Sequence, residues 1–199
     1  MNHLAHFHLS GSSAGRIAGA LLADHVRGAV DPSLPPAVAE GVRLHRRIDA
    51  FTDAHPAVRS LRRCFPSPER RFAGIAIDIG FDLMLARHWA QFAREPLDTF
   101  CARVHTALRQ HAGSLCPPAR QHAEAMKRHA VLRRYADEAF ARGAFLRVCG
   151  SLAGPEMAAR TWQFTMDAED TLREAFLVLY PEALALAATA AQEPLSAGS

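Results

Sequence analysis

This chain contains a single lysine, no closely spaced pair of cysteines and no long apolar run. Of its 23 basic residues, Lys127 is the only lysine and the others are arginine. The four cysteines are widely scattered and include no Cys-x-x-Cys pair. This distribution argues against a zinc ribbon or a redox motif and predicts a reduced, cytoplasmic protein. No apolar run approaches the roughly 20 residues that a membrane-spanning helix needs, so we expect no membrane association.

The motifs of several function classes are missing as well. The chain has no Gly-x-Ser-x-Gly elbow, no Walker-type Gly-Lys-Ser/Thr loop and no Gly-x-Gly-x-x-Gly fingerprint. These absences argue against a phosphate-binding loop or a dinucleotide fold. The net charge of +3 over a whole domain is a weak electrostatic footprint, so nucleic-acid binding is not expected. The first residues, MNHLAHFHLSGSS, lack a basic region and are interrupted by histidines, unlike a secretory signal.

Almost every periodic segment has helical spacing, which predicts an all-α fold. No stretch shows sustained alternation of apolar and polar residues between hairpin turns. We expect one irregular helical bundle over residues 1–192, with 193–199 as a disordered tail. The predicted helices cover about 14–28, 37–52, 74–92, 120–140 and 143–152, with one opening at Pro96 and a long last one opening at Pro155 that Tyr180-Pro181 kinks or ends.

The segment Leu44 to Asp53, reading LHRRIDAFTD, combines an apolar helical series with polar residues at the same period. His45, Asp49 and Asp53 are each four apart, so they would be neighbours on one helix. Like charges at this spacing repel unless a cation or a hydrogen-bond network offsets them. This pattern indicates a metal or substrate pocket. The alternative, acids paired with neighbouring arginines on a solvated face, stays open.

A second segment places acids inside an apolar helix. Residues 74–92 read GIAIDIGFDLMLARHWAQF and leave almost no polar face, so this helix should be buried on most sides. Asp78 and Asp82 lie in it, again four apart. Unpaired buried carboxylates cost several kcal/mol each, and a hard cation with oxygen ligands would hold them ionised. The alternative is that each acid is bonded to an arginine or to a backbone donor.

Two further candidate metal ligands precede these helices. His6 lies four residues after Asn2, and Asp24 lies near the end of the next predicted element. Together with the two acidic helices they offer a mixture of imidazole and carboxylate groups. That mixture suits manganese, magnesium or iron better than a thiolate-rich zinc site.

Arginines are concentrated between Arg43 and Arg71. Eight arginines in this segment stand against Asp49, Asp53 and Glu69. Such a surface could dock an acidic partner or a phosphate, or it could simply be a solvated helical face.

Several short motifs follow one another along the chain in a fixed order. They are Met1-Asn2 with Leu4-Ala5-His6, Gly19-Ala20-Leu21-Leu22-Ala23-Asp24 with Val26-Arg27-Gly28, His45-Arg46-Arg47-Ile48-Asp49 with Phe51-Thr52-Asp53, Asp78-x-x-x-Asp82, Arg87-His88-Trp89, Leu132-x-x-Tyr135 and Tyr180-Pro181. In order and spacing this set resembles the acyl carrier protein phosphodiesterases, which are grouped with the HD-domain phosphohydrolases. The resemblance extends over essentially the whole chain.

The resemblance implies an HD-domain-like all-helical fold and a metal-dependent hydrolase. Its substrate would be holo acyl carrier protein, an acidic partner, from which it would release 4′-phosphopantetheine and leave the apo protein. The cofactor would be a divalent metal, Mn²⁺ or Mg²⁺. On this reading the metal ligands are His6, Asp24, Asp78 and Asp82, the catalytic residues are His45, Asp49 and Asp53, and the substrate contacts are Arg46 and Arg47.

One position departs from the family pattern. Family members place a histidine directly after the second aspartate of the buried helix, whereas this chain has Leu83 there. His25, where the family has an aromatic residue, is a possible substitute donor. Two alternatives follow: a catalytically degenerate protein that binds acyl carrier protein, or an HD-type phosphohydrolase for another small phosphodiester.

Overall fold

The computed structural model of the protein describes residues 1–192, and within them every regular element is helical. The all-α prediction is therefore confirmed, whereas the tail expected at 193–199 lies outside the described residues. The α-helices are α1 (His3–Leu9), α2 (Ala14–Ala23), α3 (Pro36–Ala54), α4 (Pro56–Cys64), α5 (Ala73–Arg87), α6 (Trp89–Phe92), α7 (Leu97–Gln110), α8 (Pro117–Arg128), α9 (Val131–Arg134), α10 (Glu138–Ala153), α11 (Pro155–Asp167) and α12 (Glu169–Gln192). Short 3₁₀ turns cover Glu69–Phe72 and Ala112–Ser114.

Helix α5 is the centre of the bundle. It packs against α1, α4, α10, α11 and α12. Its side chains Phe81, Leu83 and Leu85 are fully buried, because the helix carries apolar residues all round. The prediction of a helix buried on most sides is confirmed. Its end was predicted too late, since α5 ends at Arg87 and a separate single turn, α6, follows.

Helices α2 and α3 form the closest helix pair. A Cβ atom on Gly19 would meet the carbonyl oxygen of Val38 and would lie 2.8 Å from the Cα of Gly41. A Cβ atom on Gly41 would lie 2.7 Å from the Cα of Arg16. The two glycines thus let the backbones touch, which brings the end of α2 beside the middle of α3.

Helix α1 is held at its first turn by an acid from α5. Asp82 is fully buried, and its Oδ2 accepts from Leu4 N at 2.8 Å while its Oδ1 accepts from Ala5 N at 3.0 Å. The first amides of a helix lack partners within the helix, and this carboxylate supplies them. Because a seven-residue helix is unstable alone, this contact fixes α1 and the histidines on it.

The structure differs from the predicted helices at three further places, although a kink at Pro181 stays a prediction. The helix expected over 120–140 is divided, because Ala130 has a left-handed backbone with φ of 49° and Asp137 caps a new helix at Ala139 N. Helix α2 ends at Ala23 instead of 28, and Asp24 is its C-cap. Pro181 lies inside α12, which continues past it. No helix in 1–192 combines the length and apolar character needed to cross a bilayer.

Candidate metal centre and substrate cavity

A cavity of about 820 Å³ opens between α1, α3, α5 and the segment from α8 to α10. Its lining combines carboxylates, imidazoles and guanidinium groups with apolar side chains. The polar lining consists of Asn2, Asp24, His45, Asp49, Thr52, Asp53, Asp78, His122, His129, Arg134, Tyr135 and Arg147, and the apolar lining of Met1, Ile75, Ile79, Ala125, Met126, Val131, Phe140, Ala144 and Val148.

Three side chains at this cavity form a compact cluster: His45 and Asp49 line the cavity, and His6 is buried in contact with both. One ligand atom from each of His6, His45 and Asp49 lies within 4.8 Å of the other two, and no other such group of three occurs in the described part of the chain. His6 Nε2 lies 3.0 Å from Asp49 Oδ1, and His45 Nε2 lies 3.1 Å from Asp49 Oδ2. The two imidazoles stack at 3.8 Å with an interplanar angle of 12°. We call these residues the His-His-Asp cluster.

The protonation states of this cluster suit cation binding. Burial lowers the pKa of His6 to about 4, so its imidazole is neutral at neutral pH. Burial alone would raise the pKa of Asp49, but hydrogen bonds from His45 and His6 hold it below its usual value. His6 therefore offers a neutral imidazole and Asp49 an ionised carboxylate.

Two further acids extend the cluster along the cavity wall. Asp24 Oδ1 lies 3.4 Å from His45 Nε2, and Asp24 Oδ2 lies 3.4 Å from His3 Nδ1. Burial opposes ionisation of Asp24, but the hydrogen bond and charge of His3 lower its pKa. Asp78 Oδ1 accepts from the Met1 amine at 2.8 Å. Asp24 and Asp78 thus line the cavity on either side of the cluster.

With this geometry established, comparison with known proteins gives a consistent result. The sequence model of the family described as acyl carrier protein phosphodiesterase matches residues 1–183. The chain belongs to the acyl carrier protein phosphodiesterase family. Two relatives carry the name "Acyl carrier protein phosphodiesterase". The protein of Salmonella dublin is 35% identical over 190 residues, which are 94% of this chain and 98% of the relative. The protein of Salmonella agona is 34% identical over the same shares. No solved structure matches the chain.

Asp82 and Asp53, the other acids named from the sequence, lie in different settings. Asp82 has both carboxylate oxygens engaged by the backbone of α1, and burial raises its pKa to about 6. This is the backbone-donor arrangement considered as an alternative for the buried acids. Asp53 lines the cavity, but it is mostly exposed and its Oδ1 accepts from Arg62 at 3.1 Å. Neither acid belongs to the His-His-Asp cluster.

The two arginines named as substrate contacts do not line the cavity. Arg46 donates to the carbonyl oxygens of Gly28 and Val26, at 2.6 Å and 3.2 Å, and Arg47 is exposed. The arginines of the cavity wall are Arg134 and Arg147. Sequence reasoning missed both as site residues.

Only one of these missed residues could have been inferred from the sequence. Arg134 directly precedes Tyr135, which belongs to one of the family motifs, so its place near the site could have been inferred. The Tyr135 hydroxyl accepts from Asn2 Nδ2 at 2.7 Å, which joins the first motif of the family pattern to the Leu132-x-x-Tyr135 motif. Arg147 and His122 lie in segments without any motif, and only the fold brings them to the cavity.

Leu83, the departure from the family pattern, lies in the core. It is fully buried among apolar side chains and is not part of the cavity lining. The leucine therefore leaves the described cavity wall intact.

Proposed function

We propose that this protein is a metal-dependent phosphodiesterase that hydrolyses the bond between 4′-phosphopantetheine and the carrier serine of holo acyl carrier protein. The observation that carries the proposal is the His-His-Asp cluster on the wall of the cavity. The family membership and the names of the relatives supply the reaction and the protein substrate.

The shape and lining of the cavity support this substrate. Its volume of about 820 Å³ lies within the range of small-molecule sites, and its lining combines polar and apolar side chains. A phosphopantetheine arm has an anionic phosphate at one end and a long, weakly polar chain. The phosphate would lie against the His-His-Asp cluster, and the chain would extend along residues such as Ile79, Met126 and Val148.

The residues of the cluster fit a divalent cation. Two imidazoles and one carboxylate are a donor set that Mn²⁺ accepts, and Mg²⁺ would rely more on Asp24, Asp49 and water. When bound, such a cation lowers the pKa of a coordinated water and polarises a phosphoryl oxygen. We propose His6, His45 and Asp49 as its holders, with Asp24 and Asp78 as further oxygen donors or as acceptors of the water proton.

The remaining residues position the site and offset charge. Asp24 orients the His45 ring through its 3.4 Å contact. Arg134 and Arg147 supply positive charge to the cavity wall, where they would stabilise the charge that develops on the phosphoryl oxygens. Asp82 acts through α1, because it fixes the helix that carries His6. Its role is therefore to position a ligand and not to coordinate the cation.

Mass spectrometry of the carrier protein tests this proposal. Incubating holo acyl carrier protein with the enzyme and Mn²⁺ or Mg²⁺ should give the apo mass. The variant Asp49→Asn should lose at least 100-fold in rate, because the shared carboxylate of the cluster is neutralised. Asp170→Asn, which alters an exposed acid on α12, should leave the rate unchanged. An unchanged carrier mass under all metals would refute the proposal.

The same experiment separates the two alternatives. A stable complex with holo carrier protein but no change of mass would indicate the degenerate binding protein. Turnover of a panel of small phosphodiesters without action on carrier protein would indicate an HD-type phosphohydrolase of another class. We place the enzyme in the cytoplasm, where its proposed carrier-protein substrate is made.

A further inference from the structure

We propose that His3, Asp24, His25 and His122 form a second divalent-cation site, adjacent to the His-His-Asp cluster and sharing Asp24 with it. The cation would be of the imidazole-preferring class, such as Zn²⁺. This inference goes beyond the proposed function, because that function requires only the first cluster.

Three separate elements bring these histidines together. His3 lies in the first turn of α1, His25 directly follows the C-cap of α2, and His122 lies in α8. Their rings form a continuous contact: the His3 and His122 centroids are 4.7 Å apart, and those of His25 and His122 are 5.4 Å apart. All three are partly buried, and His122 also lines the cavity.

Within each of two pairs, the donor atoms already lie at the spacing of two ligands of one cation. Ligand atoms bound to a tetrahedral Zn²⁺ at about 2.0–2.1 Å stand about 3.3 Å from each other. His25 Nε2 and His122 Nδ1 are 3.2 Å apart, and His3 Nδ1 and Asp24 Oδ2 are 3.4 Å apart. The four donors therefore form two pairs, each already at the spacing of two ligands of one ion.

The chemistry of the four donors also favours a metal, because three imidazoles are combined with one carboxylate. Nitrogen-rich sites of this composition suit Zn²⁺, Cu²⁺ or Ni²⁺ better than Mg²⁺.

The two pairs do not yet meet at one point. In the described chain, only the His-His-Asp cluster has three ligand atoms within 4.8 Å of one another. A ring rotation of His3 or His25 is needed to close the second site, and their partial exposure leaves room for it. We therefore expect the first cluster to fill first, because it is already assembled, and the second site to fill with lower affinity.

Calorimetric titration of the metal-free protein with Zn²⁺, with the bound metal counted by elemental analysis, tests the proposal. The wild-type protein should bind two equivalents in two steps. The double variant His25→Gln and His122→Gln should bind one equivalent and lose the weaker step. The matched control His129→Gln, which alters another cavity histidine outside the cluster, should still bind two.

A reciprocal variant makes the two sites distinguishable. His45→Gln, which disrupts the first cluster, should retain the weaker equivalent. A single equivalent in the wild-type protein would overturn the proposal and leave the His25–His122 contact as a hydrogen bond. Two equivalents in the double variant, or none, would overturn it too. These counts do not depend on the carrier-protein assay, so this inference and the proposed function can fail separately.

Discussion

At the scale of single residues, the environment gives chemically identical acids opposite properties. Asp49 lies on α3 and Asp82 on α5; hydrogen bonds from two imidazoles lower the pKa of Asp49, while burial raises that of Asp82 to about 6. Asp49 is consequently suited to bind a cation. Asp82 is suited to accept backbone hydrogen bonds, and its contribution is to the placement of α1.

The variant Asp82→Asn should destabilise the protein. An amide keeps one acceptor but turns an N–H donor toward a backbone N–H, so a buried amide of Leu4 or Ala5 loses its partner. Leaving such a group unsatisfied costs about 1–3 kcal/mol. Denaturant unfolding monitored by circular dichroism would measure the loss. If the free energy of unfolding were unchanged, the anchoring role assigned to Asp82 would be wrong.

Sequence spacing predicted the part of the site that is local. The i, i+4 rule placed His45 and Asp49 on one helix face, and their 3.1 Å contact follows from it. The rule cannot indicate which distant residue completes the group, and here it is His6 from α1. The same rule suggested that Asp78 and Asp82 act together, whereas adjacent turns of α5 face different partners.

At the scale of helices, the closeness of α2 and α3 decides where the site forms. The end of α2 carries Asp24 and the middle of α3 carries His45, so the 3.4 Å contact between them requires the glycine crossing. The sequence predicted both helices but contained no local signal for their crossing. Likewise, residues 120–140 keep a helical apolar period throughout. The break in the helix is evident only from the positive φ of Ala130 in the structure.

The variant Gly19→Ala should therefore strongly destabilise the helix pair. Its Cβ would overlap backbone atoms of α3, which cannot move as a flexible side chain would. Overpacking of this kind costs about 1–3 kcal/mol or more. The matched control is Gly150→Ala in α10, where a Cβ meets nothing within 4 Å. Because glycine is a poor helix former, the control should stabilise the protein by about 0.5–1 kcal/mol.

Thermal melts of both glycine variants would provide the comparison. A fall in melting temperature for Gly19→Ala together with a rise for Gly150→Ala is the expected pattern. Equal shifts in both variants would mean that helix propensity, and not close packing, governs these positions.

At the scale of the whole molecule, buried histidines make stability depend on pH. Burial lowers the pKa of His6 and of His8 to about 4, from 6.5 in the unfolded chain. Between pH 4 and 6.5 the unfolded chain binds more protons, so stability falls as the pH falls through this window. Asp82 acts in the opposite direction, because its pKa is raised from 3.8 to about 6 and the folded state holds the extra proton.

The free energy of unfolding should therefore decrease by about 5 kcal/mol between pH 6.5 and pH 4, because His6, His8 and His122, whose pKa burial also lowers to about 4, outweigh Asp82. Urea unfolding with a metal chelator present would measure this decrease. The variant His8→Gln removes one titrating group, which contacts the Tyr180 hydroxyl at 2.7 Å, and should roughly halve the pH dependence. A decrease of equal size in the variant would contradict the assignment to His8.

The arginine-rich segment from Arg43 to Arg71 would act in the recognition of a whole partner protein. Arg59 and Arg63 are exposed on α4, which follows the cavity residues Thr52 and Asp53 at the end of α3. We expect the double variant Arg59→Glu and Arg63→Glu to weaken binding of the acidic carrier protein at least tenfold at low salt, mainly through the association rate. Arg109→Glu on α7 is the matched control.

Surface plasmon resonance at two salt concentrations would test this expectation. The difference between the double variant and the wild-type protein should shrink at high salt, since exposed charges are screened. If the Arg109→Glu control lost as much affinity, net charge alone would account for the effect and α4 would not be the docking surface.

The anchoring of α1 by Asp82 also has a consequence for how the protein matures. During synthesis, residues 3–9 emerge from the ribosome long before the acid that holds them, because 78 positions separate Leu4 from Asp82. Until α5 has been translated and has folded, a helix of seven residues has no partner to stabilise it. His6 therefore reaches Asp49 only late, and a half-made nascent chain cannot assemble the His-His-Asp cluster and trap a cation prematurely.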